Sequence, residues 1–294
     1  MADKQPKANG AKAPLDLSAV WSRGIALLRD NAQLIVVLAG LFVLVPNAAL
    51  QFTLPADADM EGPLSVMFDA TSSRAMQEKA AQTMGELMQP FILSAGVALV
   101  VSHVGYAGIV ALIGKDRPTV GEALLLAARV ILPLMIALII TFVAIYLVLL
   151  TLQLVLSPLG PEPGAFLGAI IGVLTMFYTT ARLALTLPVM MIEGELNPFK
   201  ALRRSWQLTG VSPSNVFGFW MIMAVAWFVA LIIQALIAMV VDGALGSGST
   251  AALIQGLIGG VFAMAWGALY SAMGVSMHGL LRERDPGGIA SEFD

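Results

Sequence analysis

Few side chains in this sequence could do chemistry. His103 and His278 are the two histidines, and histidine is the residue type that most often acts as a general base or metal ligand. Neither has an Asp or Glu within its charge-free stretch, and two histidines without a carboxylate are a poor metal set. We therefore expect no metal or catalytic role for them, and instead hydrogen bonds between helices.

Arg182 is the one charged side chain inside a long apolar stretch, residues 163–192. One interpretation is that its long side chain reaches the membrane surface or pairs with Glu193. The other is that it binds an anionic lipid headgroup or substrate, because it lies on a stripe of small and polar residues. The candidate anionic-lipid contacts are Arg182, Arg203, Arg204 and His278.

The sequence contains no cysteine and no recognisable catalytic or cofactor-binding motif. There is no cysteine, which excludes disulfides, thiolate metal sites and cysteine nucleophiles. Met76, Met84 and Met88 could bind copper(I), but methionine is also a common packing residue. No phosphate-binding loop, dinucleotide fingerprint or hydrolase elbow stands where it could work. The sequence therefore predicts no cofactor, no metal, no catalytic residue and no nucleic acid partner.

Long charge-free stretches make up most of the chain. Hydrophobic residues account for 58% and charged residues for 12%, and the mean hydropathy is +0.85. A stretch of about eighteen apolar residues is long enough to cross ~30 Å of hydrocarbon. The sequence therefore predicts an all-α integral membrane protein with six transmembrane helices, near residues 33–54, 90–113, 133–156, 165–191, 215–241 and 250–281.

Lysine and arginine fall mainly on one side of these predicted helices. Thirteen of them lie on the side that holds both termini, and two, Arg74 and Lys79, lie on the other. Cytoplasmic loops of membrane proteins carry the excess of positive charge. The distribution therefore predicts that both termini are cytoplasmic.

The polar segments divide the chain into a membrane domain and its tails. We predict a single six-helix domain over residues 15–285, between disordered cytoplasmic tails at 1–14 and 286–294. Its external connection, residues 55–89, is long and contains a predicted helix from about Ser73 to Met88.

A cytoplasmic amphipathic segment precedes each outward-going helix. The first covers residues 16–29, and the third, over 197–210, begins with an Asn-Pro pair and ends at a glycine. The second begins at Thr119, with Glu122 at capping-box spacing, and runs to about Pro133. The pattern predicts three repeated units, each an interfacial helix followed by a helical hairpin.

Small residues recur along the returning helices. They let helix backbones approach closely in lipid, where no hydrophobic force drives helices together. The third helix lacks glycine and is rich in Leu, Ile and Val, as expected for a lipid-facing helix. We therefore expect helices two, four and six to form an inner layer, with one, three and five outside it. The predicted packing stripes are Gly164, Gly168 and Gly172 in the fourth helix and Gly256, Gly260, Gly267 and Gly274 in the sixth.

The segment from Arg182 to Thr209 carries a family resemblance. It contains Arg182, Pro188 and Glu193, followed by Ala-Leu-Arg-Arg-Ser-Trp-Gln-Leu-Thr over residues 201–209. Together with the earlier amphipathic segments, it resembles the membrane domain attached to some glycerophosphoryl diester phosphodiesterases and the related YciC-like inner-membrane proteins. The resemblance implies a bacterial inner-membrane location and six helices. It transfers no catalytic residue, because the phosphodiesterase chemistry belongs to a separate soluble barrel domain.

The sequence favours a non-enzymatic integral membrane protein that binds or organises membrane lipid, including anionic phospholipid, or protein partners in the envelope. The alternative is a passive or partner-driven transporter, or a lipid-translocating module, that uses Arg182 and the interior between helices two, four and six. No carboxylate lies in a helix core, which argues against ion-coupled transport. A polar cavity in that interior would favour transport, and a closely packed interior would favour the first interpretation.

The charge distribution generates a topological prediction. Single cysteines at positions 60, 161 and 246 should react with a membrane-impermeant thiol reagent in intact cells, whereas cysteines at 8, 116 and 288 should not. Reaction at position 8 or 288 in sealed cells would overturn the predicted orientation.

Overall fold

The structure is a computed structural model, and it describes residues 15–50, 53, 61–69, 71–115, 118–246 and 248–284. These residues form helices and connections, with no strand among them. Six stretches are long and apolar enough to cross a membrane, which confirms the predicted class. They are span 1 (Ala32–Leu50), span 2 (Arg74–Gly114), span 3 (Val120–Leu159), span 4 (Glu162–Glu193), span 5 (Pro213–Leu245) and span 6 (Ser249–Arg282). The predicted tails, 1–14 and 286–294, and residues 54–60 of the external connection lie outside the described residues.

Several spans are built from more than one helical segment. The α-helices are α1 (Leu17–Asp30), α2 (Ala32–Ala39), α3 (Val45–Leu50), α4 (Glu61–Phe68), α5 (Arg74–Gly114), α6 (Val120–Leu156), α7 (Pro161–Leu183), α8 (Thr186–Pro188), α9 (Pro198–Thr209), α10 (Pro213–Leu245) and α11 (Ser249–Arg282). Turns of π-helix, Gly40–Leu44 and Val189–Glu193, complete spans 1 and 4. We call the end of the bundle that carries α1 and α9 the basic end, and the opposite end the acidic end.

Local capping residues start the helices of the basic end. Thr119 and Glu122 form the predicted reciprocal capping box at the start of α6. The side chain of Asn197 accepts two backbone N–H groups at the start of α9. Asp16 caps α1, and hydrogen bonds from the hydroxyl and the backbone N–H of Ser18 hold the pKa of Asp16 below its usual value. These starts follow from short-range sequence alone.

Two predicted boundaries are absent from the structure. The external helix and span 2 form one helix, α5, that continues through Pro90, and the second interfacial segment and span 3 form one helix, α6, that continues through Pro133. A proline costs one backbone hydrogen bond and some steric strain, which a long helix can absorb by bending. The prediction of three separate interfacial helices is therefore wrong for the second unit and holds for α1 and α9.

Span 6 is the central helix of the bundle and contacts α1 and spans 1, 2 and 5. A Cβ added at Gly260 would lie 2.8 Å from the carbonyl oxygen of Leu44 in span 1. A Cβ added at Gly267 would collide with the ring of Tyr106 in span 2. The other two glycines of the predicted stripe, Gly256 and Gly274, are also buried. The stripe is therefore the surface on which neighbouring helices approach span 6.

The glycine stripe of span 4 packs against span 3. Added Cβ atoms at Gly164 and Gly172 would lie 2.7 Å and 2.8 Å from atoms of Leu156 and Leu149, and Gly168 faces the same helix. Most other side chains of α7 are exposed. The expected inner layer of spans 2, 4 and 6 is therefore wrong, because a small-residue stripe marks a close approach without identifying the partner helix. Spans 1, 2 and 6, with the basic ends of spans 3, 4 and 5, form the packed interior.

The close approach at Gly260 generates a stability prediction. Gly260→Leu should destabilise the bundle by about 1–3 kcal/mol, because the new side chain meets backbone that cannot move aside. Thermal unfolding in a mild detergent measures the effect.

Gly96→Leu is the matched control, since Gly96 lies in span 2 with no atom within 4 Å of an added Cβ. It should unfold at the wild-type temperature or above, as should Leu147→Ile in the exposed face of span 3. Equal unfolding temperatures for Gly260→Leu and Gly96→Leu would refute the central position of span 6.

Candidate functional site

A break in span 4 creates the first part of the site. Pro188 has no N–H to donate to the carbonyl of Ala184, four residues earlier, and its ring crowds that carbonyl. The regular helix accordingly ends at Leu183 and resumes at Thr186. The Thr186 hydroxyl donates to the carbonyl of Leu183 at 2.7 Å. The break leaves backbone carbonyls at membrane depth that need donors from elsewhere.

Two hydroxyls of α9 satisfy the carbonyl of Arg182. The Ser205 hydroxyl donates to it at 3.0 Å, and the Thr209 hydroxyl also lies 3.0 Å from it. Thr209 lies 2.8 Å from the carbonyl of Ser205 as well, and its single proton serves one acceptor at a time. Both hydroxyl residues are fully buried. These contacts fix α9 across the broken end of span 4.

The guanidinium of Arg182 lies under the end of α9. Its Nη2 donates to the carbonyl of Trp206 at 2.8 Å, and its Cζ lies 4.5 Å from the centroid of the Trp206 ring. The ring of Tyr178 lies on another side, at 5.9 Å. A positive charge near the last carbonyls of a helix also interacts favourably with the helix dipole. Arg182 therefore binds the C-terminal turn of α9 through charge, hydrogen bond and ring contact together.

This geometry bears on the first interpretation of Arg182. The residue is 6% exposed, and its guanidinium ends against α9, the predicted interfacial helix. The expected pair with Glu193 is wrong, because the π-helical turn places that carboxylate against other partners. Contact of Arg182 with a lipid headgroup stays a proposal.

Glu193 joins three elements at the basic end. Its Oε2 accepts from the Nε of Arg204 in α9 at 3.1 Å, and its Oε1 lies 2.9 Å from the Nε2 of His278 in span 6. A carboxylate oxygen accepts, so Nε2 carries the proton in this contact. The expectation that neither histidine lies near a carboxylate is therefore wrong for His278. The partners are 85 positions apart in sequence, and spacing alone could not pair them.

The Glu193 cluster contains a histidine paired with a carboxylate. A histidine paired with a carboxylate can serve as a catalytic base. Here His278 is 2% exposed, and no hydroxyl donates to it within the described part of the chain. The guanidinium of Arg204 occupies the second oxygen, and the described residues contain no group of three or more metal-ligating side chains. The cluster therefore fastens span 4, span 6 and α9 to one another.

Arg203 is the predicted lipid contact that faces outward. It is exposed on α9, in contrast to Arg182, Arg204 and His278, whose side chains are engaged with protein groups.

Two neighbouring pockets lie between the spans beside the break, and we call them together the membrane cavity. Its first lobe, about 230 Å³, is bounded by spans 2, 3, 4 and 6. Its second lobe, about 130 Å³, is bounded by spans 4, 5 and 6. Ala184, Trp266 and Tyr270 line both lobes and lie between them. The break in span 4 therefore borders two neighbouring, partly open spaces.

His103 lines the first lobe of the membrane cavity. Its Nδ1 lies 2.8 Å from the carbonyl oxygen of Leu99 in the same helix, so the hydrogen bond expected between helices is instead within one helix. The edge of its ring faces Tyr106, with the ring centroids 5.6 Å apart.

Sequence reasoning missed the residues that complete these sites. Ser205 and Thr209 stand four positions apart in the family-like segment, and that spacing could have indicated two hydroxyls on one helix face. Trp266 and Tyr270 have the same spacing in span 6, but aromatic residues in an apolar stretch give no distinct signal.

The two hydroxyls that lie against the carbonyl of Arg182 generate a prediction about how their losses of stability combine. Ser205→Ala alone should cost little, because Thr209 can turn its proton to the Arg182 carbonyl. Ser205→Ala combined with Thr209→Val should leave that buried carbonyl unpaired and cost about 1–3 kcal/mol, more than the sum of the single changes. Thermal unfolding of the four proteins of the cycle measures this, with Thr151→Val in span 3 as a control. Strict additivity would show that the hydroxyls do not share the carbonyl.

Comparison with known proteins finds a similarity over part of the chain. No curated protein and no solved structure matches it. The match to a family model covers residues 163–276, which contain the break in span 4, α9, span 5 and most of span 6. The family is described as the membrane domain of glycerophosphoryl diester phosphodiesterase, and the match includes no catalytic domain. The resemblance predicted from the sequence is therefore confirmed over these residues, and this part of the chain is similar to that membrane domain.

Proposed function

We propose that this chain is a non-catalytic integral protein of the bacterial inner membrane that binds anionic phospholipid at its cytoplasmic face. The observation that carries the proposal is the exposed side of α9. We call it the α9 surface, and it consists of Phe199, Lys200, Arg203 and Trp206.

The α9 surface combines aromatic and basic side chains on one side of a docked helix. Phe199 is 66% exposed and Trp206 is 41% exposed. At 3.6 residues per turn they share a side with Arg203, and Lys200 borders it. The opposite side of α9 is buried against the bundle through Ala201, Ser205, Leu208 and Thr209.

This combination suits the interface between lipid tails and headgroups. Exposed aromatic rings favour the headgroup level of a bilayer. Basic residues near an anionic leaflet contribute about 1 kcal/mol each to its attraction. Neither Lys200 nor Arg203 forms an ion pair with another described residue, so both charges are available to phosphate.

The remaining candidate residues hold α9 against the bundle. Arg182 binds the last turn of α9, and Arg204 binds Glu193, which also binds His278. In this proposal these side chains position α9, and Arg203 is the direct headgroup contact. Arg182 then affects lipid binding through the helix that it holds.

The location in the proposal rests on charge and similarity. Thirteen of the sixteen basic residues lie on the side of the termini, which favours a cytoplasmic basic end. The related membrane domain favours a bacterial inner membrane.

Transport is less well supported than binding. The ring of Tyr106 lies directly against Gly267, so spans 2 and 6 meet without a passage between them at that level. The first lobe of the membrane cavity is small and mostly apolar, which is a poor path for a polar substrate. A protein partner is the second candidate, because the 41 residues of α5 span about 60 Å, so part of this helix projects beyond a ~30 Å apolar layer, where another protein could bind.

The α9 surface generates a prediction about lipid composition. The double variant Lys200→Gln and Arg203→Gln should lose anionic phospholipid several-fold when the protein is purified in mild detergent. The loss of two charges near phosphate is the physical cause. Mass spectrometry of the bound lipid measures the change and also identifies any protein that copurifies.

Arg74→Gln with Lys79→Gln is the matched control, because it removes the same charge from the acidic end. It should keep the wild-type lipid complement. An unchanged anionic lipid content in the Lys200 and Arg203 variant would overturn the proposal.

A further inference from the structure

The membrane cavity has no charged side chain in its walls. Among the residues that the structure describes, no Asp, Glu, Lys or Arg lines either lobe. His103 lies ~16 Å before the end of α5 at Gly114, and Trp266 ~24 Å before the end of α11 at Arg282, counting ~1.5 Å per residue. An ionised headgroup at that depth without a partner would be strongly disfavoured. The part of a ligand that enters this cavity is therefore uncharged.

His103 offers a hydrogen-bond acceptor to the cavity. The carbonyl of Leu99 can only accept, so the Nδ1 beside it carries the proton. In an apolar span without a carboxylate partner the imidazole is neutral, which leaves a lone pair on Nε2. No described residue donates a hydrogen bond to that nitrogen. The complementary group on a ligand is a hydroxyl.

Two further groups offer donors. Tyr106 and Tyr270 line the first lobe, and their hydroxyls form no hydrogen bond with another residue of the described chain. A hydroxyl without a partner in an apolar layer is costly, so these groups favour a ligand with carbonyl oxygens.

The walls around these polar groups are aromatic. Trp220 packs on Tyr270 with ring centroids 4.6 Å apart, and Trp227 packs on Trp266 at 5.0 Å. Both pairs connect span 5 to span 6 and line the second lobe. Such walls provide apolar surface for hydrocarbon next to a small number of polar groups, which is the usual composition of a lipid-sized ligand site.

We propose that the membrane cavity binds an uncharged glycerolipid with one free hydroxyl, the diacylglycerol class. The free hydroxyl donates to Nε2 of His103, and the ester carbonyls accept from Tyr106 or Tyr270. The acyl chains leave past the aromatic walls into the bilayer. This site is separate from the α9 surface, which is proposed to bind anionic headgroups at the basic end.

Photolabelling tests the proposal in the full chain in nanodiscs. The probe is a diacylglycerol with a photoactivatable, clickable acyl chain, and the labelled peptides are mapped by mass spectrometry. Labelling should concentrate on peptides that contain Trp220, Trp266 or Tyr270. Unlabelled diacylglycerol should compete, and phosphatidylglycerol should not.

Two variants test the polar contacts. His103→Phe keeps a ring but removes the acceptor, and Tyr270→Phe removes one donor, so each should weaken labelling about fivefold. Tyr146→Phe, on the exposed face of span 3, is the control and should label as wild type. Thermal unfolding identifies any variant that fails to fold, and the other variant then decides.

Three results would overturn the proposal: labelling spread evenly over lipid-facing peptides, equal competition by phosphatidylglycerol, or folded His103→Phe and Tyr270→Phe proteins that label normally. These results are independent of the lipid that copurifies with the Lys200 and Arg203 variant. The two sites can therefore fail separately.

Discussion

The arrangement at the basic end depends on the backbone carbonyls that the break in span 4 leaves without helical partners. In hydrocarbon each unpaired carbonyl costs several kcal/mol, and water cannot supply the donor. Pro188 sets the place of the break, and α9 supplies hydroxyls to the carbonyl of Arg182. Arg182 in turn donates to a carbonyl of α9. Side chains of each element thus donate hydrogen bonds to a backbone carbonyl of the other, which connects an interfacial helix to a membrane span.

Close packing around span 6 explains why space remains beside the break. Gly260 and Gly267 draw spans 1 and 2 against the central helix, whereas the stripe of span 4 packs on span 3. The two groups of helices meet where spans 2 and 3 pack together and where Gly274 of span 6 approaches Pro188. Farther from the basic end, aromatic rings occupy the space between the two groups of helices without filling it completely. The membrane cavity is the result of two packing interfaces that point in different directions.

The sequence predicted what depends on neighbours in the chain. Two helix starts depend on contacts within one turn: the capping box of Thr119 with Glu122, and Asn197 with the proline that follows it. Such contacts can be predicted from neighbouring residues alone. Prolines were harder to interpret. Pro90 and Pro133 lie inside continuous helices, and Pro188 coincides with a break. What distinguishes Pro188 is α9, whose side chains stabilise the broken form, and no local pattern contains that information.

Long-range partners account for the rest of the site that the sequence did not predict. Glu193 and His278 are each visible as polar residues beside an apolar stretch, but their contact depends on how spans 4 and 6 lie against each other. The same holds for Arg182, which one-dimensional reasoning paired with Glu193 because both are charged and close in the chain. In the fold, a turn of π-helix separates them and each charge has a better partner. A charge near a helix break in a membrane has backbone carbonyls within reach as well as other charges. Arg182 donates to one of them, the carbonyl of Trp206, at the C-terminal turn of α9, where the helix dipole adds to the attraction.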